Sequence, residues 1–333
     1  MAHTQKDIAR EVGVSVMTVS RALGNRPGVS AEKRSEILQA ARRLRYSISG
    51  PQATTSAIGV LVDNLESEYI SEIIYGIYDI LMAASHALQL YAPVDMIANP
   101  EKNVLETCQH SMVGLVIASA VSFNNEGVLS SLLQHNFPLV LVDQVPKDLQ
   151  IPYVTVSNYQ GAFDATHYLI QLGHRLIGFI KGPPIFEDSF TRFNGYRDAL
   201  IQAGIPLDER LIVNGDYTLA SGRRAGQEFL AMDNPPTAIF ASNDNMALGL
   251  LETWRAAGKC IPDELSIIGF DDIRSAAFST PALTTVRTPL REMGHTAARI
   301  LLRMVHNKSG AHNAELKTSL VMRQSCVPLR GID

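Results

Sequence analysis

From Ile58 onward the chain alternates short apolar runs with amphipathic stretches, and this alternation restricts it to one broad architecture. Candidate strands are Ile58–Val62, Leu88–Ala92, Gly114–Ala118 and Leu139–Val142, with helices near 68–84, 101–110 and 126–135 between them. A second set follows, with strands Ile177–Ile180, Ala238–Ala241 and Ser266–Gly269 and helices near 159–172, 191–203, 219–231 and 244–257. Strands joined by helical crossovers pair in parallel, and a parallel sheet needs helices on both faces. The expected fold class is therefore α/β, with two doubly wound parallel-sheet lobes and a ligand cleft beyond the carboxyl ends of the strands. The tail from Pro289 adds one more helix and a last strand, Leu316–Met322.

The first fifty residues follow a different pattern. They carry nine Lys and Arg against four acids, a net +5, which leaves −9 for the remaining 283 residues of the 333. Thr4 with Asp7 has the spacing of a capping box, and Ile8, Ala9 and Val12 give a short apolar stripe that ends at Gly13. Ser15 is placed to cap a second helix running to Leu23, with Val19, Ala22 and Leu23 facing inward and Val14 in the corner. A third helix begins after Ser30 and carries Ile37, Leu38, Ala41 and Leu44 at helical spacing. Two helices joined by a tight glycine turn with a third behind them form a helix-turn-helix.

Val16, Met17, Thr18, Ser20 and Arg21 remain once the core face of the second helix is assigned. Arginine can bond guanine O6 and N7 bidentately, small apolar groups meet thymine methyls, and the hydroxyls of Ser15, Thr18 and Ser20 can hold phosphates. Thr4 and Asn25 complete the candidate DNA contacts. A plain helical bundle with a polar outer face would require neither the tight turn nor the basic charge.

The segments K-D-I-A-R-E-V-G-V-S-V-M-T-V-S-R-A-L-G-N, V-S-A-E-K-R and A-A-R-R-L-R-Y, between Lys6 and Tyr46, resemble the N-terminal domain of the lactose/galactose repressor (LacI/GalR) family. V-S-x-x-T-V-S-R at 14–21 matches that family's hallmark, and the resemblance continues through Pro328. It implies a helix-turn-helix head over 1–46 and a linker over 47–57. It also implies a periplasmic-binding-protein-like body, with one lobe from 58–157 and 288–318 and the other from 158–287 and 319–330. The family's linker usually carries P-N-x-x-A-R-x-L, a hinge helix that wedges a leucine into the minor groove. Here the linker has Gly50-Pro51 in its middle and no leucine, so the expectation is DNA binding with little or no central kink.

Several polar residues stand where a strand gives way to a helix: Asp63, Asp143, Asn243-Asp244 and Asp271-Asp272. Carboxylates there suit paired hydrogen bonds to a ligand's hydroxyls, although Asp and Asn at such turns also cap helices, and position alone does not separate the two roles. The resemblance implies effector contacts for Asp271 of the G-F-D-D-I run, Asn243 of A-S-N-D-N-M-A-L-G and Arg192 of R-F-N-G-Y. It further implies aromatic contacts from Tyr217 and Tyr69 and polar ones from Asp143 and Asp63, with Asp244 and Asp272 as caps. Three acids and one arginine favour a neutral, hydroxyl-rich effector such as a sugar or nucleoside over an anionic one. His167, His174 and His295 are expected on helix surfaces or helix ends and are given no chemistry.

No G-x-G-x-x-G, Walker loop, G-x-S-x-G or H-E-x-x-H occurs, so an enzyme, a cofactor and a metal are not expected. Cys108, Cys260 and Cys326 are too few and too scattered for a disulfide framework or a zinc cluster, and a cytoplasmic location without membrane insertion is expected. The family is dimeric. Ile73, Ile74 and Ile77, with Leu250, Leu251 and Trp254, are candidates for a homodimer interface or for ordinary packing on the sheets. Two copies of the Ser15 to Leu23 helix would then read a palindromic operator on double-stranded DNA, under effector control. The competing readings are a sugar-binding transport protein, an enzyme on the same scaffold and a regulator that has lost operator binding.

Overall fold

The computed structural model describes residues 4–23, 28–44, 57–62, 64–91, 112–118, 126–143, 150–307 and 312–329. Asn25, Asp63, Cys108, residues 47–56 of the linker and the helix expected near 101–110 lie outside the described residues. The chain divides into two compact units, residues 1–56 and 57–333.

The first unit is three helices, α1 (Gln5–Val12), α2 (Val16–Leu23) and α3 (Ala31–Arg43). α1 ends because Gly13 adopts the left-handed conformation, φ 69°, and this lets Val14 N–H close back on the Ala9 carbonyl at 3.0 Å. Ile8, Ala9 and Val12 meet Val19, Ala22 and Leu23 and, from α3, Ile37, Ala40 and Ala41 in one small core. Val14 packs against that core from the turn.

The second unit holds two parallel sheets. The first comprises β1 (Ala57–Val62), β2 (Ala87–Tyr91), β3 (Gly114–Ala118), β4 (Leu139–Val142), β5 (Tyr153–Val156) and, from the tail, Ala314–Leu316. The second comprises β6 (Ile177–Lys181), β7 (Ile212–Asn214), β8 (Ala238–Ala241), β9 (Ser266–Asp271), β10 (Thr284–Arg287) and Ser319–Val321. With the two tail strands labelled β11 and β12, the spatial orders are β11-β5-β4-β3-β1-β2 and β12-β10-β9-β8-β6-β7. Every pairing is parallel except β10 with β12. In each sheet the order reverses at the first strand, which opens a crevice at the carboxyl edge.

α4 (Glu68–Ala83) and α5 (Glu126–Gln134) serve the first sheet. α6 (Asn158–Gln171), α7 (Glu187–Gln202), α8 (Leu219–Leu230), α9 (Asp244–Ala256) and the single turn α10 (Arg274–Phe278) serve the second. α11 (Leu290–Val305) returns to the first lobe, where Leu290, Met293, Ala297 and Leu301 join Ile73, Ile77 and Leu81 in its core. α4 and α11 cross backbone to backbone. A Cβ on Gly294 would collide with the Ile73 carbonyl, and one on Gly76 with that of Arg291. Gly294→Ala should therefore cost about 2 kcal/mol in chemical denaturation of the chain, the usual penalty of overpacking a fixed contact.

Several expectations change. Ile73, Ile77, Leu250, Leu251 and Trp254 are at most 3% exposed, so they are core rather than interface, while Ile74 is half-buried against the first lobe's core. The single strand expected at Leu316–Met322 is two, because the chain crosses between sheets at Lys317-Thr318; there Thr318 N–H donates to Ser157 Oγ at 2.9 Å. β5, β7 and β10 carried no clear apolar run. β10 is the instructive case: Thr284 and Thr285 are fully buried in it, stabilised by hydrogen bonds to Arg323 N–H and Asp244 that a linear reading cannot supply. His174 is buried rather than at the surface, bridging Thr237 at 3.0 Å and both Ser266 and the Val327 carbonyl at 3.1 Å, and burial lowers its pKa. Among the described residues no helix is long and apolar enough to cross a membrane.

Candidate functional site

The first unit presents a polar helix face. Ser15 caps α2, accepting Thr18 N–H at 3.0 Å and pairing with the Thr18 hydroxyl at 2.8 Å. Val19, Ala22 and Leu23 are buried, which leaves Val16 (41% exposed), Met17 (66%), Ser20 and Arg21 uncovered on the other side and Thr18 half-buried. Thr4 is less available: its N–H and its hydroxyl both donate to Asp7 Oδ2, at 2.8 and 2.9 Å, so its first role is to start α1. Removing the α2 cap with Ser15→Ala should cost about 1 kcal/mol, read as a roughly fivefold loss of amide protection against hydrogen exchange in α2 of the full chain.

The second unit contains a cavity of about 650 Å³ at the carboxyl edges of both sheets, lined from α4, the ends of β3, β4 and β9, the start of α7 and the turn after β7. Arg192 stands at its centre. The side chain is 2% exposed, lies over the Phe270 ring at 3.9 Å, and donates to Asn158 Oδ1 at 2.8 Å and to the Ser242 carbonyl at 2.6 Å. Its guanidinium faces Asp188 at 3.5 Å and Asp271 at 3.6 Å. Burial works against its charge, but Asp271 and Asp188 more than offset this and hold it protonated.

Tyr69 comes from the first turn of α4 and donates its hydroxyl to Asp143 Oδ2 at 2.6 Å. Tyr217 donates to Asp188 Oδ2 at 2.7 Å and stacks on Phe186, the rings 10° from parallel with centroids 5.8 Å apart. Burial raises the pKa of both tyrosines, so each stays a donor. Burial, reinforced by Asp188, pushes Asp143 up to about 7 against the opposing pull of Arg192 and Tyr69. Burial also holds Asp271 well above the ordinary carboxylate range, although Arg192 draws it down. Asp143 Oδ1 and Asp271 Oδ1 are both buried without a hydrogen-bond partner.

The backbone here is unusual. Asp143, Tyr217, Asp271 and Asp272 adopt φ values of 60°, 66°, 113° and 58°, a region that disfavours side chains and is retained where function needs a particular direction. The two lobes also touch across the cavity's rim, where Glu68 of α4 accepts Ser275 N–H at 3.1 Å as well as its hydroxyl, and Glu72 pairs with Arg274 at 3.0 Å.

The structure thus brings Tyr69, Asp143, Arg192, Tyr217, Asn243 and Asp271 to one cavity. Asn243 spends most of its capacity on the protein, capping α9 by accepting Met246 N–H at 3.0 Å and donating to the Tyr217 carbonyl at 3.0 Å. Asp272 is no cap: it accepts from Arg287 at 2.7 Å and Arg323 at 2.5 Å. Asp244 does not cap its own helix either. Buried, with its pKa pushed up to about 7, it accepts from Thr285 at 2.6 Å and from Ile273 N–H at 2.9 Å.

Asp188 and Phe186 escaped the sequence reading, because α7 starts one turn earlier than the apolar pattern shows and Phe186 gives no side-chain cap to mark that start. The available signal was the four-residue spacing from Asp188 to Arg192, which places the two on one helix face.

Comparison with known proteins agrees with both units. Residues 4–49 match the model for bacterial regulatory proteins of the lacI family, and residues 166–326 match that for a periplasmic binding protein-like domain. The HTH-type transcriptional repressor CytR of Escherichia coli is 34% identical over 336 residues, an alignment spanning 97% of this chain and 96% of that protein. Among solved structures, a complex of the transcriptional regulator CelR with cellobiose superposes with a TM-score of 0.73 at 28% identity, covering 97% of this chain and 99% of that one. A LacI family transcriptional regulator from Enterococcus faecium with bound ribose gives 0.74 at 27% identity, covering 82% of this chain and 100% of that one.

Proposed function

The chain belongs to the lacI family of bacterial regulatory proteins, and from that premise we propose that it is a DNA-binding transcriptional repressor whose operator affinity is set by a small hydroxyl-rich effector. The observation that carries this reading is the division of α2 into a buried face and an exposed one ending in Arg21. In the major groove Arg21 would read a guanine, Val16 and Met17 would sort thymine methyls, and Ser15, Thr18 and Ser20 would position the helix on phosphates.

The effector enters the cavity of the second unit. Arg192, Asp143, Asp188 and Asp271 address hydroxyls, and the Tyr217 and Phe186 pair offers an aromatic wall to a sugar or nucleoside face. The names of the CelR–cellobiose and ribose-bound relatives support the sugar class. Ligand that bridges the lobes favours closure, in the sense of the contacts from Glu68 and Glu72, and closure changes DNA affinity only to the extent that the DNA-bound and free forms bind the effector differently. The proposed sign is release of DNA.

We place the protein in the cytoplasm as a homodimer on a palindromic operator, a reading supported by the apolar side chains of Tyr75, Tyr78 and Met82, which the chain leaves 41–51% exposed along α4. The carboxylates serve binding rather than turnover. The test is a thermal-shift screen of the full chain against sugars and nucleosides, followed by a gel-shift assay on the DNA upstream of its own gene with and without each stabilising compound. A stabilising compound that changes the shift supports the proposal. Binding to DNA that no compound alters, or conversion of a compound to product, overturns it.

A further inference from the structure

The cavity's acids outnumber its cations. Among the described residues lining it are Glu66, Glu68, Asp143, Asp188, Asp216 and Asp271, against the single cation Arg192. Glu66 and Asp216 are exposed, Asp216 has Arg224 at 3.5 Å, and Glu68 is engaged by Ser275, so the outer acids are hydrated or matched. The inner three are buried or nearly so and have one cation among them. Asp188 and Asp271 pair with one guanidinium, whose charge Asp143 also feels and which is itself tied to Asn158 and the Ser242 carbonyl. Asp271 is 5% exposed, and its Oδ1, like that of Asp143, is buried without a hydrogen bond.

A neutral polyol can donate hydrogen bonds to those oxygens but brings no charge that would let the buried carboxyls ionise, and a phosphate or carboxylate opposes their ionisation outright. An ammonium group supplies three donors and a compensating charge, and its hydrogen bonds to carboxylates are roughly twice as strong as neutral ones. Resting on the reading of this cavity as the effector site, we infer that the effector carries a protonated amine on a hydroxyl-rich frame, as an amino sugar or amino polyol does, with the ammonium held by Asp143 and Asp271. Hydroxyls on the frame then meet Arg192 and Asn243, and its apolar face meets Tyr217.

The same geometry fixes a pH dependence. Asp143 is faced by Tyr69 of α4, by Asp188 and Arg192 of α7 and by Asp271 at the end of β9. Its carboxyl is pushed up to about 7, chiefly by burial, so near neutrality the chamber holds a proton that an ammonium displaces. The amine must bind more tightly as the pH rises through that value, by at least about tenfold between pH 6 and 8, because Asp143 alone accounts for that much and the raised Asp271 carboxyl must give up its proton as well.

The experiment is titration calorimetry on the full chain with matched pairs, glucamine against sorbitol, glucosamine against glucose and galactosamine against galactose, beside a panel of unmodified nucleosides. Glucamine carries the pH series, since its alkyl amine stays protonated throughout. At least one amine is expected to bind tenfold or more tightly than its hydroxyl partner, with a preference that collapses toward one in Asp143→Asn; that variant keeps the shape of the protonated acid. The pH series on the unmodified chain tests the same point without any substitution. Hydroxyl partners or nucleosides that bind as tightly as the amines, or more so, overturn this inference and leave the effector reading intact. Binding by none of the compounds overturns both.

Discussion

Replacing Arg192 with alanine should destabilise the second unit by about 3–5 kcal/mol, the cost of leaving buried carboxylates without their cation. The side chain is 2% exposed and faces Asp188 and Asp271 at 3.5 and 3.6 Å, and the substitution also strands the Asn158 and Ser242 acceptors it now satisfies. For a unit of this size the midpoint of thermal unfolding should fall by roughly 10 °C. Adding Asp271→Asn should recover part of the loss by removing one of the orphaned charges, so the two substitutions should be strongly non-additive. Additive effects, or a loss below about 1 kcal/mol, would mean that the ion cluster contributes little and that Arg192 is held by its packing on Phe270. Even where the variant folds, it should no longer respond to any effector, because the group that organises the cavity is gone.

Arg21→Ala should leave the folded state alone and lower operator affinity by about 100-fold. Arg21 is exposed and stands outside the small core of the first unit, which is why no stability change is expected. A bidentate arginine–guanine pair contributes about 1–3 kcal/mol of discrimination. Two copies on a palindrome, each in the lower half of that range at about 1.4 kcal/mol, give about 3 kcal/mol, hence the 100-fold. The diagnostic is the ratio of specific to non-specific binding at fixed salt, since a mere phosphate contact would weaken both together. A variant that loses affinity equally for operator and random DNA would make Arg21 a phosphate contact and move base reading to Val16 and Met17.

Much of this was legible in the linear chain because helices and strands are periodic objects whose buried positions recur every 3.6 or 2 residues. Ser15, Val19, Ala22 and Leu23 took the places in α2 that capping and periodicity assign them, and the apolar runs from Ile58 to Val62 and from Ser266 onward became central strands. The resemblance to a known family added Arg192 and Tyr217 and gave the strand-end Asp271 an effector role, and all three line the cavity. The same rules left Ile73, Leu250 and Trp254 open between an interface and ordinary packing on the sheets. A helix packed on both sides, by a sheet and by another helix, buries more of its surface than a single amphipathic stripe suggests, and the interface candidates became core. They also passed over β10, whose buried threonines read as polar until Asp244 and Arg323 are seen against them.

By itself, then, the sequence determined the three helices of the head, the α/β alternation and the presence of acids at strand ends, because each depends on neighbours within a turn or two along the chain. Only the tertiary structure decided what those acids do. Asp143, Asp188 and Asp271 come from three separate segments and gather around one buried arginine, which pairs with Asp188 and Asp271 and draws on Asp143 through its charge, whereas Asp272, adjacent to Asp271, is taken by Arg287 and Arg323. Charge partnership is a matter of distance through a low-dielectric interior, and the fold sets that distance between residues far apart in the chain.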